Sequence, residues 1–125
     1  MKTFDLIKQY KIFEKDINKR VLKVLSSGSY ILGQNVKSFE NNARKYLATK
    51  YTVSCNSGTD ALVMSLRALN IGNNDQVITT PFTYFATSEA ISLVGATPIF
   101  ADINPHTFNI NPKKIEKLIS KKTKA

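Results

Sequence analysis

Apolar residues recur at three- and four-residue spacing through the first part of the chain. Between Ile12 and Leu25, the residues Phe13, Ile17, Val21, Val24 and Leu25 share one face, which predicts an amphipathic helix. Ser26-Ser27-Gly28-Ser29 ends it, with a glycine suited to the left-handed backbone of a helix stop. A second helix is predicted from about Val36 to Ala48. Val36, Phe39, Ala43, Tyr46 and Leu47 form its apolar face, opposite Lys37, Asn41, Arg44 and Lys45. The stretch from Gly28 to Gly33 is apolar in the middle, pinned by glycines and too short for a helix.

The period changes after Lys50, which predicts a helical segment over 1–50 and a partial α/β domain over 51–125. Tyr51 to Cys55 reads as a short strand of mostly β-favouring residues, and Thr59 to Asn70 as a helix bearing Leu62, Leu66 and Leu69. Gln76 to Thr80 reads as a second strand stopped by Pro81, Tyr84 to Val94 as a helix ending at Gly95, and Thr97 to Asp102 as a third strand. Asn111 is placed to cap a last helix with Pro112 at its first position, flanked by Ile110 and Ile115 at staple positions. Alternating strands and helices are the pattern of an α/β fold. The chain stops at Lys122-Thr123-Lys124-Ala125, where another strand is expected to begin, so the sequence reads as part of something larger.

Composition narrows the function classes. The 125 residues are 42% hydrophobic and 22% charged, with four Pro and five Gly, which is ordinary globular usage and excludes disordered and collagen-like classes. No apolar run approaches the roughly 18 residues that a spanning helix needs. Charges interrupt the first twenty residues too often for a secretory signal, so a soluble, cytoplasmic chain is expected. The single Cys55 permits no internal disulfide, and the single His106 removes most metal and triad chemistry, so no metal site is expected. The net charge of +9 raises the question of nucleic acid. Six lysines against Glu116 in the segment from Lys113 to Ala125 give +5 of it. Arg is scarce and no aromatic is interleaved there, which favours a solvated helix face over a nucleic-acid surface.

Two stretches carry candidate chemistry. In Val53-Ser54-Cys55-Asn56-Ser57-Gly58-Thr59-Asp60, a strand enters a small-residue turn and a helix leaves it. The helix start offers unpaired N–H groups and partial positive charge, Gly58 permits close backbone approach, and Thr59 adds a hydroxyl donor. This is a plausible phosphate cradle; ordinary capping by Ser-Gly-Thr-Asp accounts for the same residues. It is neither a Walker loop nor a dinucleotide fingerprint. The second stretch, Thr80 to Thr87, also follows a strand and opens a helix, and ligands of open α/β sheets bind at such ends. Its aromatics offer a flat surface to a planar ligand. Core packing is the preferred reading for Phe82 and Phe85, while the pattern leaves Tyr84 open.

In order and spacing, these residues resemble the N-terminal part of the DegT/DnrJ/EryC1/StrS family of sugar aminotransferases, pyridoxal-phosphate enzymes of the aspartate-aminotransferase fold. The resemblance is carried by Ser27 to Gly33, Phe39-Glu40, Ser57 to Leu62, Asp75 to Ile78, Pro81 to Thr87, Gly95 to Ile103, Thr107 to Ile110 and Lys122 to Ala125. It implies the large-domain fold with an incomplete sheet, in which the first strand does not pair with the second, while the second and third are parallel neighbours. It implies that Gly58 and Thr59 bind the cofactor phosphate and that Tyr84 stacks on the pyridine ring. Asp102 matches a family acid without an assigned role, and the stretch around Tyr30 and Gly33 is expected near the active site or across a dimer interface.

The resemblance also implies a nucleotide-linked keto-sugar and an amino-acid donor such as glutamate as substrates, in a homodimeric full-length enzyme, with no nucleic-acid or membrane partner. Such enzymes serve amino-sugar and polysaccharide biosynthesis. Family members are about three times as long, and their Schiff-base lysine and the carboxylate facing the pyridine nitrogen lie beyond the residues matched here. The chain is therefore expected to hold half a cofactor site, no catalytic residue and no activity alone. The alternatives are a non-catalytic relative that binds a ligand or partner, and a small α/β module that binds phosphate or nucleic acid.

Overall fold

The computed structural model describes residues 4–125. The chain forms two compact units, Met1–Ser54 and Cys55–Ala125.

The first unit is helical. Helix α1 spans Leu6–Ser27 and starts a turn and a half before the apolar pattern that predicts it, because Asp5 caps it: its carboxylate accepts from the Lys8 N–H at 3.0 Å. It ends as expected at Gly28, whose φ of 66° is left-handed and whose N–H donates to the Leu25 carbonyl. Helix α2 spans Gln34–Tyr46 from an extended Gly33. A side chain at Gly33 would put Cβ 2.7 Å from the Ser29 carbonyl oxygen, so the close turn between the helices requires glycine there. Neither helix buries a residue. Tyr51 to Cys55, expected as a strand, belongs to no sheet. It has no ladder partner, and Glu40 supplies the acceptor for the Ser54 N–H instead.

The second unit is mixed α/β and holds the core. Helix α3 (Gly58–Ala68) leads to strand β1 (Gln76–Thr79), helix α4 (Ala86–Leu93), strand β2 (Thr97–Phe100), and a short helix α5 (Pro112–Ile115) continued by a 3-10 turn over Glu116–Leu118. The strands β1 and β2 are parallel, with Gln76 opposite Thr97 and Thr79 opposite Phe100, as the resemblance implies. The crossover helix α4 covers them, and Ile71, Val77, Ile91 and Ala96 form the core with Leu66 and Val94 packed against it. Of the expected α3 face, only Leu66 reaches that core; Leu62 and Leu69 stay exposed. Gly95, at φ 84°, stops α4 where a Cβ would collide with the Asn73 side chain.

The sheet has a further participant. Gln76 donates its N–H to the Lys122 carbonyl at 2.8 Å and accepts from Lys124 at 2.9 Å, a parallel bridge centred on Thr123. Where a strand is expected, the last residues thus form an isolated bridge along one edge of β1. Thr97 and Ala101 donate toward β1, so Pro98 and Phe100 face the outer edge of β2. Pro98 brings no N–H to that edge, which removes one template for unwanted pairing. Asn111 accepts from the Lys113 N–H at 3.1 Å and caps α5, with Pro112 at its first position, as its sequence predicts.

Candidate functional site

The start of α3 is set by reciprocal capping. Ser57 is the N-cap: its hydroxyl accepts from the Asp60 N–H at 3.1 Å and donates to the Asp60 carboxylate at 2.9 Å. The Ala61 N–H reaches the Ser57 carbonyl. The remaining first-turn donors are the N–H groups of Gly58 and Thr59, and among the described residues neither has an acceptor. The Thr59 hydroxyl has no partner either. A Cβ built on Gly58 would meet nothing within 4 Å, so the backbone is uncrowded on that side. The Asp60 carboxylate, in the first turn, is held to the Ser57 hydroxyl by that bond. Capping and two free donors therefore coexist here, rather than excluding each other.

Tyr84 lies in the same unit, in the loop between β1 and α4. The sequence places it in the helix, but α4 begins at Ala86, and Tyr84 only supplies a carbonyl to the Thr87 N–H. Its ring is 82% exposed and engaged by no other aromatic. Phe82 and Phe85, expected in the core, are also exposed. The chain runs through bends from Pro81 and becomes helical only at Ala86, and these side chains stay exposed. Phe82 instead stacks on Phe108, with centroids 5.6 Å apart and planes 23° from parallel. Helices α3 and α4 pack on one another within the unit.

Asp102, just past β2, accepts from the Lys114 ammonium at 2.6 Å and from the Ile103 N–H at 2.8 Å. The Lys114 hydrogen bond, then the Ile103 N–H, hold its carboxyl below the usual range. In the first unit, Glu40 accepts from both the N–H and the hydroxyl of Ser54, at 2.9 and 2.8 Å, and these bonds hold its carboxyl low as well. Sequence reasoning marks Glu40 only as part of a matching motif. Its partner lies fourteen residues away, so no local spacing could reveal the contact. Gly28 to Gly33 with Gln34 and Lys37 lines a separate open cavity in the first unit.

A parallel β–α–β unit preceded by a helix makes this an α/β domain, and its superposition on solved aminotransferase structures identifies the fold as that of the pyridoxal-phosphate transferases. Residues 11–125 match the DegT/DnrJ/EryC1/StrS aminotransferase family, and the chain belongs to it. Over 121 residues it is 41% identical to a pleiotropic regulatory protein of Geobacillus stearothermophilus, covering 97% of this chain and 32% of that protein. Over the same length it is 41% identical to the UDP-2-acetamido-2-deoxy-3-oxo-D-glucuronate aminotransferase of Pseudomonas aeruginosa, covering 97% of this chain and 34% of that protein. The crystal structure of NtdA from Bacillus subtilis with bound cofactor PMP superposes with a TM-score of 0.85 at 38% identity, covering 88% of this chain and 25% of that one. The chain thus spans about a third of the length of the curated relatives it matches. Among the described residues, no helix is long and apolar enough to cross a membrane.

Proposed function

We propose that these residues supply the phosphate-holding and ring-facing part of a pyridoxal-phosphate-dependent aminotransferase that aminates a nucleotide-linked keto-sugar, in the cytoplasm, from an amino-acid donor such as glutamate. The observation that carries this reading is the pair of N–H donors at Gly58 and Thr59, without acceptors among the described residues, at the start of an eleven-residue helix. In this reading those two N–H groups and the Thr59 hydroxyl bind the phosphate, whose charge the helix start favours. Tyr84 lays its exposed ring against the pyridine face. The cofactor, when bound, supplies the electron sink through which an amino group is exchanged. The residues of this chain bind and orient it; the proton-moving lysine of the family has no counterpart among the lysines here, so the 125-residue chain alone is inactive. The complete protein works as a homodimer.

The experiment is expression of the complete reading frame that carries these residues, followed by assay with glutamate and UDP- or dTDP-linked keto-sugars. Formation of 2-oxoglutarate that depends on both added cofactor and keto-sugar is expected. Cofactor binding without turnover on any such sugar would favour a second reading, a non-catalytic relative, to which the regulatory name of the Geobacillus relative lends support.

A further inference from the structure

Helix α2 carries Lys37, Asn41 and Arg44 at spacings of four and three, so they fall on one stripe of the helix. That stripe and the returning segment of Lys50 and Tyr51 line an open cavity of about 470 Å³, wholly within the first unit. Its charges are unbalanced. Lys37, Arg44 and Lys50 line it with one carboxylate, Glu40, which leaves an excess of two positive charges. Glu40 stands three residues after Lys37 and four before Arg44, where a solvated helix pairs its charges. One of its oxygens instead accepts from both the N–H and the hydroxyl of Ser54. Among the described residues the ion pair is Lys114–Asp102, so no carboxylate pairs with any of the three cations of the cavity. The Lys50 ammonium is steadied by the Tyr51 ring, 5.3 Å from its centroid.

Charge and donor chemistry select the ligand. The excess is spread over three cations on two segments, and the cavity has room for more than one phosphate. A diphosphate esterified at both ends carries one negative charge on each phosphate, which matches that excess. The Arg44 guanidinium offers a planar fork to phosphate oxygens, and the two ammonium groups act as point charges. We propose that this cavity is a binding site for a diphosphate group, held by Lys37, Arg44 and Lys50 with the Asn41 amide as a neutral donor. Two sources supply that chemistry, a nucleotide-linked sugar and free pyrophosphate. The site goes beyond the cofactor reading and uses none of Gly58, Thr59 or Tyr84.

The test is calorimetric titration of the protein expressed from its complete reading frame, with pyridoxal phosphate in excess so that any cofactor site is filled. The probes are inorganic pyrophosphate, UDP-glucose and inorganic phosphate. At least one of the two diphosphates is expected to bind more tightly than phosphate, and more weakly as salt is added. Arg44→Gln is expected to weaken that diphosphate about tenfold, the scale of a lost charge-assisted bond. Lys37→Gln and Lys50→Gln are each expected to weaken it about threefold, as befits exposed ammonium groups. Arg44→Lys, which keeps the charge without the fork, is expected to fall between parent and Arg44→Gln. Lys113→Gln, outside the cavity, is expected to change nothing. Losses for UDP-glucose assign the site to a nucleotide-linked sugar; losses for pyrophosphate alone assign it to the free anion. The proposal is overturned if neither diphosphate binds more tightly than phosphate, or if the cavity variants bind as the parent does. It is also overturned if Lys113→Gln weakens binding as much as they do, since net charge alone would then account for the affinity.

Discussion

The two units carry the same kind of apolar helix face and treat it differently. In α4, Ala90 is fully buried and Ile91 is 2% exposed, packed on Val77 and Ala96. In α1, Ile17 is 38% exposed and Phe13 55%, on a face that is at least as regular in sequence. Periodicity, caps and the glycine stop suffice to form α1, because they act within a few residues. Burial needs a partner surface, and β1 and β2 supply one to α4 within 25 residues of chain, Gln76 to Phe100. The helical face at α1 is formed; the hydrophobic stabilisation that normally accompanies such a face is absent from this unit.

A matched pair of truncations separates the two helix faces. Ile91→Ala should destabilise the second unit by about 2–5 kcal/mol in a denaturant melt, the usual cost of an emptied core site. Ile17→Ala should change the melt by less than about 0.5 kcal/mol. Equal effects would mean that the α1 face is buried in the 125-residue chain. The same contrast predicts dye binding to the isolated chain and fast amide exchange along α1, with protection concentrated at Val77, Ile78 and Ile91.

Next in size is the cofactor site. Thr59→Val should weaken pyridoxal-phosphate binding in the complete protein by about 1.5–3 kcal/mol, or roughly ten- to a hundredfold, through loss of one hydrogen bond to a charged group. Tyr84→Ala should weaken pyridoxal and pyridoxal phosphate alike, because the ring it faces is common to both. Equilibrium dialysis of both ligands checks each variant, and unchanged retention in both variants would refute the site assignment.

How much of this was legible in the sequence follows from the range of each interaction. The caps at Ser57 and Asn111 and the stop at Gly28 depend on residues no more than three or four apart, and they lie where the sequence puts them. The parallel pairing of β1 with β2 came from the family resemblance, since periodicity assigns no neighbours to a strand. Tyr51 to Cys55 has the composition of a strand yet forms none, because strand identity requires a partner and propensity supplies only willingness. Phe82 and Phe85, expected in the core, are exposed for the same reason: aromatic character does not say which side of a loop faces the core. The turn chemistry at Gly58 and Thr59 suits capping as well as phosphate, and only the family resemblance singles them out as phosphate holders, while the partners of Glu40 and of Phe108 are visible only once the chain is folded.

The smallest effects are electrostatic. Glu40 and Asp102 both have carboxyls held below their unfolded values, Glu40 by Ser54 and Asp102 by Lys114. A lowered carboxyl stabilises the fold above its unfolded value, and that contribution is lost as pH falls through the folded-state value. Stability of both units should therefore decline on acidification below the ordinary carboxylate range. Glu40→Gln should flatten the decline in the first unit and Asp102→Asn in the second. Both groups are solvent-accessible, so added salt should shrink the Asp102–Lys114 part further. A pH series of amide-exchange profiles, resolved by unit, measures each separately.

The phosphate reading turns on two backbone N–H groups, at Gly58 and Thr59, and amide resonances read them directly. In a pyridoxal-phosphate titration of the complete protein, labelled with 15N, the Gly58 and Thr59 amide protons should shift strongly downfield and exchange more slowly as the phosphate accepts from them. Unphosphorylated pyridoxal should leave them in place. If the cofactor binds and moves other resonances while Gly58 and Thr59 stay unchanged, the phosphate is held elsewhere and the functional reading of this helix start is wrong.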